Sequence, residues 1–172
     1  GLATMKTRSS RASLPALCLL GAALAAGPLP AAPGDLPEDH RTLAKSTSYD
    51  AMAAFLKTVD GKGPVTVSEE GKTAQGRNVF LVHARGSATA TFRVLFYAQQ
   101  HGDEVSGKDA LLYLVRDIAR EPSRLPKDVD LWVMPMMNPD GAEAGTRRNS
   151  AGADLNRDHV TLFQTETEAL HR

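Results

Sequence analysis

The sequence contains almost no cysteine and carries no net charge. Its 172 residues include one cysteine, Cys18, and 20 basic side chains balance 20 acidic ones. A single cysteine excludes a disulfide within the chain. Zero formal charge provides no global basic field, so the composition does not predict a nucleic-acid partner. The length and an apolar fraction of 42% are enough for one domain with a hydrophobic core.

The sequence also lacks an apolar run long enough to span a membrane. Its main apolar stretch, Leu14–Leu24, is shorter than the ~20 residues that a spanning helix needs. Basic Lys6, Arg8 and Arg11 precede it, and small residues follow, which is the order typical of a secretory signal. We therefore expect a secreted or periplasmic protein with no stable membrane span. Cleavage is expected between Ala25 and Ala32 and would remove the only cysteine, leaving no thiol nucleophile.

Composition divides the chain into three segments. Residues 1–32 hold a few residues upstream of the first methionine together with the predicted signal. Residues 33–46 lack hydrophobic periodicity and are predicted to be a flexible linker. Apolar periodicity begins in residues 47–172, which we expect to form the folded part of the chain.

The first half of the folded part predicts a helix and a β-hairpin. Thr47–Asp50 resembles a capping box, and apolar residues follow it at helical spacing. Val65–Val67 and Asn78–Ala84 have the pattern of strands, and the turn Gly71–Gly76 lies between them. We expect this hairpin at one edge of a sheet, with His83 in a cross-strand contact.

A strand, a helix and a second strand follow. Phe92–Gln99 is a nearly continuous apolar run, which predicts a strand buried on both faces. A helix is expected from about Ser106 to Arg120, and Leu131–Met137 is the next strand. This order is typical of a right-handed parallel crossover. The helix is expected to bury one face, formed by Gly107, Leu111, Leu114, Val115 and Ile118.

The junction between the first strand and the helix carries His101-Gly-Asp-Glu104. Ligands bind at the carboxyl ends of strands in open α/β sheets, and Gly102 allows a tight bend there. Imidazole nitrogen with carboxylate oxygen is a ligand set that suits Zn²⁺. A histidine and a glutamate three residues apart are common by chance, so this motif needs support from elsewhere in the chain.

A second polar cluster follows the second strand. Asn138-Pro-Asp-Gly141 is predicted to be a tight turn that opens at the same sheet edge as His101. The loop Thr146–Asp158 is rich in glycine and arginine. Arginine stays charged and grips carboxylates in bidentate fashion, so this loop is a candidate anion-binding element.

These motifs together resemble the zinc carboxypeptidase family, which includes carboxypeptidases A and B and bacterial relatives. The resemblance runs from about Ser48 to the end of the chain and also covers the turn Gly71–Arg77. It implies an α/β fold with a mixed, largely parallel sheet flanked by helices. It also implies that residues 47–172 are the N-terminal part of a catalytic domain that hydrolyses the C-terminal peptide bond of peptides.

The resemblance assigns roles to particular residues. His101 and Glu104 would be two of the three ligands of Zn²⁺. Asn156 and Arg157 would bind the free C-terminal carboxylate of a peptide substrate. Arg147 would stabilise the oxyanion, with its neighbour Arg148 as the competing choice; Arg147 is preferred on its spacing to the following asparagine.

The third zinc ligand and the general base of the family have no matching positions in this chain. Only His159 and His171 follow Arg157, and neither lies in the family's context. Asp103 is expected to be a helix-entry residue and not the base. A catalytic zinc site needs three protein ligands, so we expect the 172-residue chain to be inactive by itself.

Two other interpretations remain open from the sequence. Zinc deacylases such as aspartoacylase and succinylglutamate desuccinylase share a similar His-x-x-Glu and Asp-Leu-Asn-Arg pattern, and a cell-wall peptide amidase of the same fold is also compatible. The predicted signal and the Asn138–Gly141 turn favour the peptidase. A non-enzymatic binding module or an inactive chain is the third possibility.

Overall fold

The computed structural model describes residues 46–172, so the predicted signal and nearly all of the predicted linker lie outside the described part. The described residues form four strands and four helices, in the order α1 (Tyr49–Val59), β1 (Val65–Lys72), β2 (Asn78–Arg85), β3 (Phe92–Tyr97), α2 (Ser106–Arg120), β4 (Val129–Met134), α3 (Pro139–Ala144) and α4 (Thr165–His171). Short 3-10 turns occupy Pro122–Arg124 and Leu155–Arg157. Within residues 46–172, no helix is long and apolar enough to cross a membrane.

The four strands form one mixed sheet in the order β1-β2-β4-β3. β1 pairs with β2 and β2 pairs with β4 in antiparallel fashion, whereas β3 and β4 are parallel. The sheet with its flanking helices confirms the predicted α/β class. The parallel pairing that the β3–α2–β4 crossover predicts is confirmed as well.

Helices cover the two faces of the sheet to different extents. Alternate residues of β2 and β4, including Val82 and Val133, pack with the apolar sides of α1 and α2 in the main core. On the other face, Val79 and Met134 belong to a smaller cluster with Ala169 of α4. Helices α1 and α2 therefore pack on one face of the sheet, and α4 covers one end of the other face.

The predicted β1–β2 hairpin is confirmed at a sheet edge, although β1 continues to Lys72 through an irregularity between Glu69 and Gly71. His83 makes the expected cross-strand contact, because its ring stacks on Trp132 with centroids 4.7 Å apart. The N-cap of α1 lies one residue later than the Thr47–Asp50 pattern predicts. Ser48 is the N-cap, and its side chain accepts a hydrogen bond from the backbone N–H of Ala51.

The prediction that the strand at Phe92–Gln99 is buried on both faces is wrong. β4 lies between β2 and β3, so within the described sheet β3 is an edge strand that pairs with β4 alone. Its large apolar side chains are exposed; Phe92, for example, is 61% exposed and Phe96 is 47% exposed. The apolar run predicts the strand itself but cannot indicate which strand takes the central position.

Two smaller predictions also need correction. The buried side of α2 carries Lys108, Asp109, Leu112, Val115 and Ile118. Of the other predicted residues, Leu111 and Leu114 are partly buried and Gly107 is exposed. Lys108 can be buried because its ammonium group donates to the Ser46 hydroxyl at 2.6 Å and to the Thr47 carbonyl.

The segment Asn138–Gly141 is the start of helix α3 and not an isolated turn. Asn138 is the N-cap, and its side-chain oxygen accepts from the backbone N–H of Gly141 at 2.9 Å. Helix α4 begins at Thr165, with Gln164 as its N-cap and no side-chain cap.

Candidate active site

The two polar segments of the sequence meet where β3 and β4 end. The backbone pairing of the two parallel strands continues past them, since Met137 N donates to Ala98 O at 2.9 Å and Asn138 N donates to Gln99 O at 3.1 Å. This pairing brings the His101 turn beside the start of α3. The predicted convergence of the two motifs on one sheet edge is present.

His101 is the centre of the polar cluster and is buried, with 8% of its surface exposed. Its Nδ1 lies 2.9 Å from Oε1 of Glu104 and 3.2 Å from a terminal nitrogen of Arg147. Its Nε2 lies 3.2 Å from Oδ1 of Asp154. The Glu104 carboxylate can only accept from Nδ1 and the Arg147 guanidinium can only donate to it, so the two contacts on Nδ1 require opposite tautomers of the ring.

Asp154 was not predicted as a site residue. Its second oxygen, Oδ2, accepts from Arg147 Nε at 3.3 Å and from Arg147 Nη2 at 3.2 Å, and Oδ1 also accepts from the backbone N–H of Asn156 at 3.1 Å. Burial raises the pKa of Asp154, but the Asn156 N–H and the charge of Arg147 outweigh it and hold that pKa below its ordinary value. The carboxylate therefore stays ionised and binds both His101 and Arg147.

The sequence did contain a signal for this role. Asp154 precedes the 3-10 turn Leu155–Arg157 as its N-cap, which is the usual position for an aspartate that orders a loop. Its contact with His101 spans 53 positions of sequence, so only the fold reveals it.

The two candidate arginines point to different partners. Arg147 reaches His101 and Asp154, and its terminal nitrogen lies 4.0 Å from Glu104. Arg148 instead donates to the backbone carbonyl of Gly152 at 2.8 Å and closes the loop on itself. The geometry therefore brings Arg147, and not Arg148, into the cluster around His101.

Asn156 and Arg157 follow the buried Leu155 on the 3-10 turn that Asp154 caps, and both are exposed. Arg157 donates to the carbonyl of Asn156 at 3.2 Å, and it makes no ion pair with any residue of the described range 46–172. Its guanidinium group is available for an anion, which is what the predicted carboxylate-binding role requires.

Two buried carboxylates hold the loops around this cluster. Asp140 on α3 accepts hydrogen bonds from the Thr73 and Ser150 hydroxyls and from Gln75 N, and it pairs with Arg77 at 2.8 Å. Burial raises the pKa of Asp140, but these donors outweigh it and keep the pKa below the ordinary value. The edge hairpin is thereby tied to the arginine loop.

Asp158 is the second of these carboxylates and holds the other end of the loop in place. It accepts from the hydroxyls of Thr161 and Thr167 and from the backbone N–H groups of Phe163 and Gln164. Burial opposes ionisation, but these four donors together lower the pKa of Asp158 to about 2. The segment after Arg157 is thus fixed against α4.

The remaining histidines and the acid beside the motif lie outside the cluster. His159 Nδ1 is 2.9 Å from His171 Nε2, and its other nitrogen contacts Gln100. Asp103 is exposed and precedes α2 without belonging to its first turn, where Asp109 is the acidic residue. Among residues 46–172, no three histidine, cysteine or acidic side chains are arranged to hold a metal ion together.

Comparison with known proteins decides the family. Residues 52–171 match the family model described as zinc carboxypeptidase. The chain belongs to the zinc carboxypeptidase family. The sequence resemblance is thereby confirmed, and family membership favours the peptidase over the deacylase interpretation.

Members of the zinc carboxypeptidase family share both sequence and fold with this chain. Carboxypeptidase M of Mus musculus is 32% identical over 137 residues, which cover 67% of this chain and 31% of the relative. The metallo-carboxypeptidase from Burkholderia cenocepacia has a TM-score of 0.63 at 30% identity, covering 70% of this chain and 36% of that chain. The metallo-carboxypeptidase from Pseudomonas aeruginosa, solved in complex with (2-guanidinoethylmercapto)succinic acid, has a TM-score of 0.58 at 29% identity, covering 70% and 34%. The chain thus spans about a third of the length of these relatives.

The family name implies zinc, and the donor atoms at His101 fit that ion. Two atoms bound to one tetrahedral zinc at ~2.0–2.2 Å lie roughly 3.3–3.6 Å from each other, so the two donor atoms would have to separate by a few tenths of an ångström to share the ion. Nδ1 of His101 and Oε1 of Glu104 lie 2.9 Å apart, and the second nitrogen of the ring faces a carboxylate. That pairing of carboxylate with histidine is the usual support for a ligating imidazole. Among residues 46–172, His101 and Glu104 would be two ligands of such an ion, and no group of three metal-binding side chains is present.

Proposed function

We propose that this chain is the zinc-binding N-terminal part of a metallocarboxypeptidase that hydrolyses the C-terminal peptide bond of peptides. The observation that carries the proposal is the position of His101 between two acids. One ring nitrogen faces Glu104 and the other faces Asp154, at 2.9 and 3.2 Å. An imidazole nitrogen and a carboxylate oxygen are both ligands of Zn²⁺, so this pair is suited to share a metal ion once Nδ1 is unprotonated.

Zinc, when bound, supplies a Lewis acid that polarises the scissile carbonyl. Arg147 would add a fixed positive charge where negative charge develops on that carbonyl oxygen. Its guanidinium group is held by two contacts to Oδ2 of Asp154 and lies beside His101. Because Asp154 binds both His101 and Arg147, it would fix the spacing between the metal and the cation.

Asn156 and Arg157 would bind the C-terminal carboxylate of the peptide. Arg157 is exposed and has no acidic partner among residues 46–172, so it can offer a bidentate contact to a carboxylate. A charge-assisted contact of this kind selects peptides with a free C-terminus over amidated ones.

The domain division and the location are part of the same proposal. Residues 1–32 would contain a secretory signal, 33–46 a linker and 47–172 the N-terminal part of the catalytic domain, in a secreted or periplasmic protein. N-terminal sequencing of exported protein tests this, because a first residue between Ala25 and Ala32 supports the signal. Exported protein that still begins at Met5 would contradict it.

A chimeric enzyme tests the activity. Residues 47–172 would replace the matching part of the metallo-carboxypeptidase from Burkholderia cenocepacia, so that the rest of a family fold is present. The proposal predicts hydrolysis of a peptide with a free C-terminus, loss of turnover with a chelator, and little hydrolysis of the amidated peptide. Arg157→Ala in the same chimera should lower kcat/KM toward the free-acid peptide only. The decrease should correspond to about 2–5 kcal/mol of transition-state stabilisation.

Each part of the proposal has its own contradicting result. Equal loss on free and amidated peptides after Arg157→Ala would show that this residue supports the fold and does not bind the carboxylate. A folded chimera that binds zinc but hydrolyses neither peptide would favour the non-enzymatic interpretation. Zinc-dependent turnover by the 172-residue chain alone, removed by His101→Ala, would contradict the proposed incompleteness of the site.

A further inference from the structure

Gln99, two residues before His101, has a backbone conformation that glutamine rarely adopts. Its φ angle is +51°, in the left-handed region that favours glycine, asparagine and aspartate. Leu162 is the other non-glycine residue with positive φ among residues 46–172. Backbone strain of this kind persists only where surrounding contacts enforce it, and it is concentrated at functional sites.

The side chain of Gln99 is also unusual. It is 4% exposed, and its Nε2 donates a 2.8 Å hydrogen bond to the carbonyl of Gly102. Its other polar atom, Oε1, is buried and has no hydrogen-bond partner in the described part of the chain. A buried carbonyl without a partner lowers stability, so Gln99 is unfavourable in both backbone and side chain.

The one hydrogen bond that the side chain makes is aimed at the proposed zinc motif. Gly102 lies between His101 and Glu104, so the bond fixes the peptide that joins the two proposed ligands. The backbone of Gln99 is anchored too, because its carbonyl accepts from Asn138 N at 3.1 Å. Gln99 therefore links two segments: its backbone binds Asn138 at the start of α3, and its side chain binds Gly102 in the turn His101–Glu104.

We propose that Gln99 is a positioning residue for the zinc ligands. Its strained backbone turns the side chain back under the loop, and the amide then holds the Gly102 carbonyl so that Nδ1 of His101 and Oε1 of Glu104 face each other. This inference rests on the proposed function, since it assigns a role within the same site. It predicts that stability and metal affinity respond differently to substitution at this position.

Paired glycine variants of the 172-residue chain test the role. Gln99→Gly removes the amide and relieves the positive φ, and Leu162→Gly relieves the same strain outside the ligand motif. Urea midpoints and zinc affinities from calorimetry would be measured for both. We expect neither midpoint to fall below that of the parent chain, and we expect zinc affinity to fall by about 10–100-fold in Gln99→Gly alone.

A third variant controls for backbone freedom at residue 99. Asparagine tolerates the left-handed region but is one methylene shorter, so Gln99→Asn keeps the conformation while withdrawing the amide from Gly102. It should show the same affinity loss as Gln99→Gly with an unchanged midpoint. Unchanged affinity in both variants would overturn the inference. Affinity and midpoint falling together in both would also overturn it, because that result indicates a purely structural role.

His101→Ala tests the ligand assignment separately from the role of Gln99. If His101→Ala leaves zinc binding intact, the ligand assignment and hence the proposed function fail. If His101→Ala abolishes binding but the Gln99 variants bind like the parent chain, only the positioning role of Gln99 fails.

Discussion

Gly102 packs directly against Gly141, so the turn His101–Glu104 and the first turn of α3 touch through their backbones. A Cβ atom on Gly102 would lie 2.0 Å from the carbonyl carbon of Gly141 and 2.4 Å from the nitrogen of Ala142. Both are backbone atoms, which cannot move aside as a side chain could. The two motifs that were separate in the sequence therefore require glycine where they meet.

Gly102→Ala should be severely destabilising. We expect a loss of more than about 4 kcal/mol in the free energy of unfolding, because the added methyl group forces the two loops apart. Gly107→Ala is the matched control, since its Cβ would meet the Cβ of Ala98 at 3.1 Å, a tight but tolerable distance, in a helix that favours alanine. It should change stability by less than about 1 kcal/mol. Urea unfolding followed by circular dichroism gives both values, and similar values for the two variants would contradict the close approach.

Asp154→Asn should weaken zinc binding by about 10–100-fold, the usual effect of removing a carboxylate that supports a histidine ligand. The amide oxygen can still accept from Asn156 N, but the negative charge that orients His101 and Arg147 is lost. Calorimetric titration with zinc measures the effect. Asp103→Asn is the control, because Asp103 is exposed beside the same motif. An equal effect from both would reduce the role of Asp154 to general electrostatics.

Glu166→Gln should stabilise the protein at neutral pH. Burial raises the pKa of Glu166, and hydrogen bonds from its own backbone N–H and from Asn149 only partly oppose the shift. A carboxyl group with a raised pKa contributes stability below its ordinary pKa, and that stability is lost as the pH rises through the folded value. The amide removes this loss, so the advantage of Glu166→Gln should disappear near pH 4.

Thermal unfolding at pH 4 and pH 7 measures that difference. Glu168→Gln on the same helix is the control; Glu168 is exposed and pairs with Arg172 at 2.8 Å, so its replacement should change stability by no more than about 0.5 kcal/mol. A Glu166→Gln variant that is less stable at pH 7 than at pH 4, relative to the parent, would contradict the prediction.

Leu95→Lys should reduce aggregation of the chain. Leu95 is 46% exposed on the edge strand β3, and an exposed apolar edge is a template for pairing with another chain. A charge there blocks pairing while changing stability by about 0.5 kcal/mol or less. Val94→Lys is the comparison, since Val94 packs against the main core and its replacement should cost about 1–3 kcal/mol. Light scattering during concentration measures the result, and equal aggregation of parent and Leu95→Lys would contradict it.

Local patterns predicted most of the elements and the candidate ligands. The β3–α2–β4 crossover follows from two apolar runs and a helical repeat, and Ser106 to Arg120 is the helix that the sequence indicates. His101 and Glu104 are three residues apart, so their convergence depends on one tight turn. These features are determined within short stretches of chain.

Contacts between distant segments were not predictable in the same way. Sheet order placed β4 between β2 and β3, and no local pattern indicates this insertion. The contact between His101 and Asp154 and the tie from Lys108 to Ser46 both join segments more than fifty residues apart. The left-handed conformation of Gln99 has no composition signal, because glutamine is not a residue that usually marks such a position.

Zinc titration of the chain and its His101→Ala variant tests the central claim most directly. With two protein ligands, His101 and Glu104, the parent chain should bind zinc weakly and reversibly, and His101→Ala should abolish that binding. His83→Ala is the control, because His83 lies on β2 with Asp130 and Trp132 as its partners. The account predicts that His83→Ala binds zinc as the parent does; tight stoichiometric binding that His101→Ala leaves unchanged would contradict it.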